Sequence, residues 1–200
     1  MCSLLAFYLC NVTNRTVISG FIIFICVLFW DIIRRHTGTV WVGTPPQRKT
    51  VIVDTGSHYT AFPCTGCTKC GEEHHTDKYF DPEKSSSFHA NSCSNNECEA
   101  SSSKSCKSED HCTFGQSYAE GSSWKAYEAR DLYSVGGNTP ADGSNAIHGA
   151  FAIDFMFGCQ YSENGLFITQ LADGIMGMSG QGKVILCSFY THVWLLCTCL

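Results

Sequence analysis

The sequence has little charge and no cluster of lysine and arginine. Charged residues make up 16% of the 200 positions, and the formal net charge is -5. Proteins that bind nucleic acid through its phosphates need a basic surface, so we predict no nucleic-acid partner. The apolar fraction of 44% is large enough to build a packed core, which argues against a disordered chain.

Long helix-period patterns are missing from the middle of the chain, where glycine and serine are abundant. Short β-branched and aromatic runs separated by turn residues occur there instead, and these are typical of strands. The length allows one ordinary domain or part of a larger one. The sequence therefore predicts an all-β domain.

The N-terminal part lacks an apolar run of the usual membrane-spanning length. Val17 to Trp30 is weakly polar to apolar for fourteen residues before Asp31 interrupts it, whereas a spanning helix needs about 20. That length suits the core of a signal peptide, with a short membrane anchor as the alternative. We predict a signal or anchor segment over residues 1–36, with membrane anchorage through Val17 to Trp30 as one outcome.

Cysteine is present in large excess, at fourteen residues. An even set in a serine-rich and glycine-rich region predicts disulfide bonds formed in an oxidising compartment. We therefore expect a protein of the secretory pathway, membrane-anchored or secreted or vacuolar. Eight cysteines can pair in about a hundred ways, so the pairing stays open. The candidates are Cys64, Cys67, Cys70, Cys93, Cys98, Cys106, Cys112 and Cys159.

The alternative for part of this set is zinc. Cys64, Cys67 and Cys70 are evenly spaced, and His74 and His75 follow closely. Cysteine and histidine are the usual ligands of structural zinc, but regular zinc modules carry a second ligand pair at a defined spacing. The later cysteines do not supply one. The pattern favours disulfides, and we predict neither a metal nor another cofactor.

The stretch Thr50 to Ser57, T-V-I-V-D-T-G-S, contains the candidate for catalysis. Its apolar part predicts a short buried strand that leaves Asp54 at or just beyond the strand end. A carboxylate there is costly unless it is hydrogen-bonded, shares a proton or faces a wet cleft. Thr55, Gly56 and Ser57 supply hydroxyl donors and close backbone approach. The alternative is an aspartate that only nucleates a turn.

Three further segments have a predictable form. Val40 to Val42 predicts a strand that a Gly/Pro turn joins to the Asp54 strand as a hairpin. Tyr118 to Trp124 predicts a second hairpin tip with an aromatic residue on each side, which is either a mobile lid or a cross-strand aromatic pair. Ala172 to Met178 predicts a very short apolar strand bounded by glycines, and Asn164 to Phe167 is turn-like.

In this order, these segments resemble the N-terminal lobe of pepsin-like aspartic proteases. The cysteine-rich insert, about 64–112, resembles the nepenthesin-like branch of that family. The resemblance implies one lobe of the bilobal acid protease fold over residues 37–180, with an atypical apolar tail over 181–200 outside it. The matching segments are Trp41 to Gln47, Val51 to Ser57, Tyr118 to Ser122 and Ala172 to Gly177.

By that resemblance Asp54 is one of two catalytic aspartates that share a proton and activate a water molecule to attack a peptide bond. Thr55 would brace the loop of the other lobe, and Ser57 would donate a hydrogen bond to the outer oxygen of Asp54. Ile175 to Gly177 would pack beneath the Asp54 loop. The substrate would be a peptide or protein, covered by a flap that includes Tyr118, Gly121 and Ser122.

Two departures from the family pattern affect the expected function. Thr60 to Phe62 stands where many pepsins have a tryptophan that bonds the flap tyrosine, and the sequence contains a single Asp-Thr-Gly. Three hypotheses follow. The chain is a one-aspartate fragment of an aspartic endopeptidase, inactive alone; or a homodimeric protease in the retroviral manner, with Asp54 from each copy; or a non-catalytic, disulfide-stapled peptide-binding module.

Overall fold

A single mixed sheet dominates the structure. The computed structural model of the protein describes residues 37–100, 105–106, 110–136 and 152–179. In these ranges nine strands form one sheet, so the all-β prediction is confirmed. The strands are β1 (Thr37–Val42), β2 (Gln47–Asp54), β3 (Thr60–Thr68), β4 (His89–Ala90), β5 (Ser105–Cys106), β6 (Cys112–Ser117), β7 (Ser123–Val135), β8 (Ile153–Asn164) and β9 (Gly174–Gly177).

The sheet closes on itself. Its strand order is β1-β2-β9-β3-β8-β7-β6-β5, and β1 also pairs with β7 through Val40 opposite Val135. That pairing joins the first six strands of the order into a ring, which leaves β6 and β5 outside it on the edge of β7. Closure pairs the six ring strands on both sides and so removes their exposed edges. Among the described residues, β4, which pairs with β7, and β5, which pairs with β6, remain edge strands.

Alternation along the strands sorts the apolar side chains into two clusters. In β2, Val51 belongs to the larger cluster and Ile52 packs against the smaller one. In β9, Met176 and Ile175 divide in the same way. Successive side chains of a strand point to opposite faces, so both strands are apolar on both sides and lie in the interior. The fully buried aromatics of the larger cluster are Phe62, Phe80, Tyr133 and Phe157.

Four disulfides fix the cysteine-rich insert, and all eight cysteines that the sequence singled out take part in them. Cys64–Cys159 ties the end of β3 to β8, and Cys67–Cys70 closes a short loop. The other two bonds, Cys93–Cys106 and Cys98–Cys112, lie within the insert. The disulfide prediction is therefore confirmed.

Two local expectations differ from the structure. Residues 166–169, expected in part as a turn, form the short helix α1 (Leu166–Thr169). Asn164, also expected in that turn, is instead the last residue of β8, because this strand pairs along its length with the long strand β7. Such pairing with a distant segment is not visible in a local pattern. The predicted segments 1–36 and 181–200, and with them Val17 to Trp30, lie outside the described residues. Within the described ranges no helix is long and apolar enough to cross a membrane.

Two buried carboxyl groups make the fold sensitive to pH. Glu163 is 7% exposed, neither of its carboxyl oxygens has a hydrogen-bond partner in the described part of the chain, and burial raises its pKa to about 8. Burial likewise raises the pKa of Asp173 to about 7, although the amides of Thr50 and Asp77 donate to its carboxylate. A carboxyl group whose pKa is higher in the folded than in the unfolded chain stabilises the fold below its unfolded pKa and loses that contribution as pH rises.

We predict that the urea midpoint of unfolding falls between pH 5 and pH 8, each unit of pKa difference being worth about 1.4 kcal/mol. In Glu163→Gln the side chain stays uncharged, so this fall should be smaller. The residual pH dependence should come from Asp173 and from Glu128, whose pKa burial also raises. Glu73→Gln, which removes an exposed carboxylate, is the matched control and should keep the wild-type pH dependence. Equal falls in all three proteins would contradict the role of Glu163.

Candidate active site

Asp54 is the last residue of β2, at the point where a buried strand meets a loop that begins with the exposed residues Thr55 and Gly56. β2 runs parallel to β9, with Val53 opposite Met176 and Asp54 opposite Gly177. The backbone continues this contact, because the amide of Met178 donates to the Asp54 carbonyl at 2.7 Å. The short apolar strand therefore supports the Asp54 loop from the side that the resemblance implied.

Gly177 allows this close approach. A Cβ atom at this position would lie 2.5 Å from the amide nitrogen of Tyr59 and 2.8 Å from the carbonyl oxygen of Ser57. Both atoms belong to backbone, which cannot move aside as a flexible side chain can. A larger residue would thus push the loop after Asp54 away from β9.

The Asp54 carboxylate is half-buried and is held from within its own loop. Its Oδ1 accepts a hydrogen bond from the amide of Gly56 at 2.8 Å. The bond expected from Ser57 is not formed: Ser57 Oγ is buried and has no partner within bonding distance among the described residues. Instead Ser57 lies near enough to the Tyr118 hydroxyl to lower its pKa. Thr55 and Gly56 are exposed at the loop surface.

The flap is the hairpin between β6 and β7. The amide of Tyr118 donates to the carbonyl of Ser122 at 2.9 Å, and Gly121 at the tip has a φ of +97°, in the left-handed region. A Cβ atom at Gly121 would have no other atom within 4 Å. Glycine is therefore needed there for the backbone conformation of the turn, not for a close packing contact. Ser122 is buried and accepts a bond from the amide of Leu166, which anchors the flap base to α1.

Trp124 supplies the flap contact that β3 does not. It lies at the start of β7, is 2% exposed, and its Nε1 donates to the Tyr118 hydroxyl at 3.3 Å. The ring of Phe167 packs on Tyr118 with centroids 5.3 Å apart. Burial raises the pKa of Tyr118, the Trp124 bond lowers it, and the nearby charge of Asp54 raises it. The sequence shows an aromatic residue on each side of the hairpin tip, but it does not show that Trp124 and Tyr118 form a hydrogen bond with each other.

The cysteine-rich insert reaches the Asp54 loop through Tyr59. The Tyr59 hydroxyl donates to the carbonyl of Ala100 at 2.6 Å. The carboxylate of Glu128, a fully buried side chain of β7, accepts bonds from the amides of Glu99 and Ala100 and from the Asn91 side chain. Burial raises the pKa of Glu128, and these bonds lower it. The insert is therefore fixed at its centre as well as by its disulfides.

Among the described residues, the cysteines and histidines considered as zinc ligands take part in other interactions. The sulfur atoms of Cys93, Cys98 and Cys112 lie within 4.8 Å of one another, but each belongs to a disulfide, and zinc binds thiolates. His74 pairs with Glu73, and a ring nitrogen of His75 contacts the carbonyl of Phe167 at 3.0 Å. The zinc alternative at Cys64, Cys67 and Cys70 fails for the same reason.

A family model described as "Xylanase inhibitor N-terminal" matches residues 37–194 of the chain. It covers the barrel, the Asp54 loop, the flap and the insert.

Curated relatives of the chain are aspartic proteases. Aspartic protease 5 of Toxoplasma gondii is 36% identical over 155 residues, which are 70% of this chain and 15% of that protein. Plasmepsin V of Plasmodium falciparum (isolate 3D7) is 30% identical over 138 residues, or 69% of this chain and 21% of its own length. Aspartic proteinase nepenthesin-1 of Nepenthes gracilis is 33% identical over 145 residues, or 72% and 29%.

The chain thus spans less than a third of the length of each of these relatives. The matched part contains the Asp-Thr-Gly loop, the flap and the cysteine-rich insert that suggested the resemblance. From the barrel, these segments and the family model together, the chain belongs to the pepsin-like aspartic proteases, as an N-terminal lobe of the branch that includes nepenthesin.

Proposed function

We propose that this chain acts as the half of an aspartic endopeptidase that supplies one catalytic carboxylate, Asp54. The observation that carries the proposal is the position of this carboxylate. It lies at the end of an interior strand, is held by Gly56 within its own loop, and is close enough to the flap residue Tyr118 to influence its pKa. A turn-forming aspartate would need none of this surrounding structure.

The chemistry requires a second carboxylate. Two carboxyl groups about 3 Å apart cannot both ionise, so they share one proton. The ionised group takes a proton from a water molecule that attacks the substrate carbonyl, and the protonated group donates to the carbonyl oxygen as it gains charge. Asp54 can take one of these roles, and the exposed Thr55 and Gly56 offer the loop surface against which a second such loop would pack.

The flap defines one side of a peptide-binding cleft. Trp124 and Phe167 hold Tyr118 from two sides, so its ring is positioned before a substrate arrives. A peptide lying between the flap and the Asp54 loop would have its reacting carbonyl close to the carboxylate. This arrangement supports a peptide or protein substrate, and the four disulfides support a location in the secretory pathway.

We expect the oxidised chain alone to be a monomer without peptidase activity, because it carries a single dyad carboxylate. Adding the separately expressed C-terminal lobe of nepenthesin-1 should give peptide cleavage at acid pH that pepstatin blocks. In Asp54→Asn this cleavage should fall by at least about a hundredfold. The measurement is peptide turnover with and without pepstatin, together with the mass of the protein in solution.

Asp154→Asn is the matched control, because it removes a carboxylate that is 66% exposed and paired with Arg130; it should retain turnover. Pepstatin-sensitive turnover by a dimer of the chain alone would favour the homodimeric protease. A folded chain that binds peptides tightly but gives no turnover with any C-terminal lobe would favour the non-catalytic binding module.

A second prediction concerns the flap. Trp124→Phe removes the donor to the Tyr118 hydroxyl, a bond that lowers the pKa of this phenol, so its pKa should rise further. The titration can be followed by NMR of ¹³C-labelled tyrosine, with Tyr118→Phe identifying the signal. Trp41→Phe removes an indole from β1 and should leave the titration unchanged. An unchanged pKa in a folded Trp124→Phe protein would mean that the bond is not formed in solution.

A further inference from the structure

Two of the disulfides in the insert are in direct contact. Cys93 bonds Cys106, and Cys98 bonds Cys112. Across the two bonds, the sulfur of Cys98 lies 3.6 Å from the sulfur of Cys93, and Cys112 is within 4.8 Å of both. Disulfides exchange when a thiolate attacks a disulfide sulfur, so a thiolate released from one of these bonds would already be beside the other.

The backbone also accommodates the opposite pairing. Cys106 and Cys112 are directly opposite each other in the antiparallel ladder of β5 and β6. Residues in that relation have Cα atoms about 4.5–5.5 Å apart, which is within the range of about 4.4–6.8 Å that disulfides span. Cys93 and Cys98 are brought together by a turn, in which the amide of Asn96 donates to the carbonyl of Cys93.

We propose that these four cysteines form a thiol–disulfide exchange site, at which a low-molecular-weight thiol such as glutathione converts the pairs Cys93–Cys106 and Cys98–Cys112 into Cys93–Cys98 and Cys106–Cys112. The site is separate from the Asp54 cleft and does not depend on peptidase activity.

The exchange balances without an oxidant or a reductant. The thiolate of the small molecule attacks Cys106, forms a mixed disulfide and releases Cys93 as a thiolate. Cys93 attacks Cys98 and releases Cys112. Cys112 then attacks Cys106 and expels the small-molecule thiolate, which is regenerated. Two disulfides are present before and after, so no electrons are gained or lost.

Exposure sets the order of these steps. Cys106 is exposed, whereas Cys112 is 1% exposed, so an external thiol can reach the first sulfur and not the second. A cavity of about 260 Å³ opens beside Cys98 and is lined also by Arg130. The buried Cys112 is reached only from inside the group, through Cys93 and Cys98.

The pairing affects the contact with the catalytic loop. Ala100, whose carbonyl accepts the Tyr59 hydroxyl, lies between Cys98 and Cys106 in the sequence. In the observed pairing, both bonds link a residue before Ala100 to one after it. In the alternative pairing, each bond closes a short loop on one side of Ala100, and the disulfides no longer enclose it. The exchange therefore loosens the segment that holds Tyr59.

Cys106→Ser tests the proposal by trapping the intermediate. It leaves Cys93 as a free thiol beside the Cys98–Cys112 bond. Attack of Cys93 on Cys98 then frees Cys112, so the free thiol should be found on both Cys93 and Cys112, in amounts of label that differ by no more than about tenfold. The protein is quenched in acid and denaturant, labelled with N-ethylmaleimide and mapped by mass spectrometry. Cleavage after Glu97, Lys104 and Lys107 separates all four positions.

Cys159→Ser is the matched control. It leaves Cys64 free. In the described part of the chain, no third cysteine sulfur lies within 4.8 Å of both sulfurs of the Cys64–Cys159 bond. Its label should stay on Cys64. In the wild-type protein, incubation with reduced and oxidised glutathione should produce peptides that join Cys93 to Cys98, while Cys64–Cys159 stays intact.

Two results together would overturn the proposal: a label confined to Cys93 in folded Cys106→Ser, and unchanged pairs in the wild-type protein at every glutathione concentration. If Cys106→Ser does not fold, the wild-type mapping decides alone, and the absence of a Cys93–Cys98 peptide then rejects the exchange.

Discussion

The parallel pairing of β2 with β9 is the constraint on which the candidate site depends. It joins two short apolar strands that are more than a hundred residues apart in the sequence, and it ends at Asp54 opposite Gly177. Because both strands are apolar on their two faces, they can lie only in the interior of the barrel. The carboxylate is therefore held at the end of an interior strand whose position the pairing with β9 fixes.

The fold contains buried acidic side chains in two kinds of environment, one with hydrogen-bond donors and one without. Glu128 is surrounded by N–H donors from the insert, so both oxygens of its carboxylate accept hydrogen bonds. Glu163 has none in the described structure, and the neutral form of the acid is the one that burial favours. In acidic surroundings Glu163 holds its proton, so its burial costs least stability there.

Local patterns predicted much of the site and little of its connections. The β-branched run before Asp54, the Gly/Pro turn of the first hairpin and the glycine at the flap tip each have a local physical cause, and all three occur as expected. The approach of Ser57 to Tyr118 and the contact of Ala100 with Tyr59 join residues that only the closed barrel brings together. The bond from Trp124 to Tyr118 depends on side-chain orientations within the hairpin, which the local pattern does not specify. The pairing of the cysteines could not be predicted for the same reason, since their spacing in the sequence does not determine which of them meet in the fold.

The hydrogen bonds on Glu128 have a consequence for how far two distant parts of the lobe can vary independently. The carboxylate belongs to β7, whereas its donors are the amides of Glu99 and Ala100 and the side chain of Asn91 in the insert. Removing the carboxylate leaves these donors without their acceptor, and an unsatisfied buried polar group costs about 1–3 kcal/mol. A substitution on either side of this contact therefore changes the stability of the other side, despite their separation in the sequence.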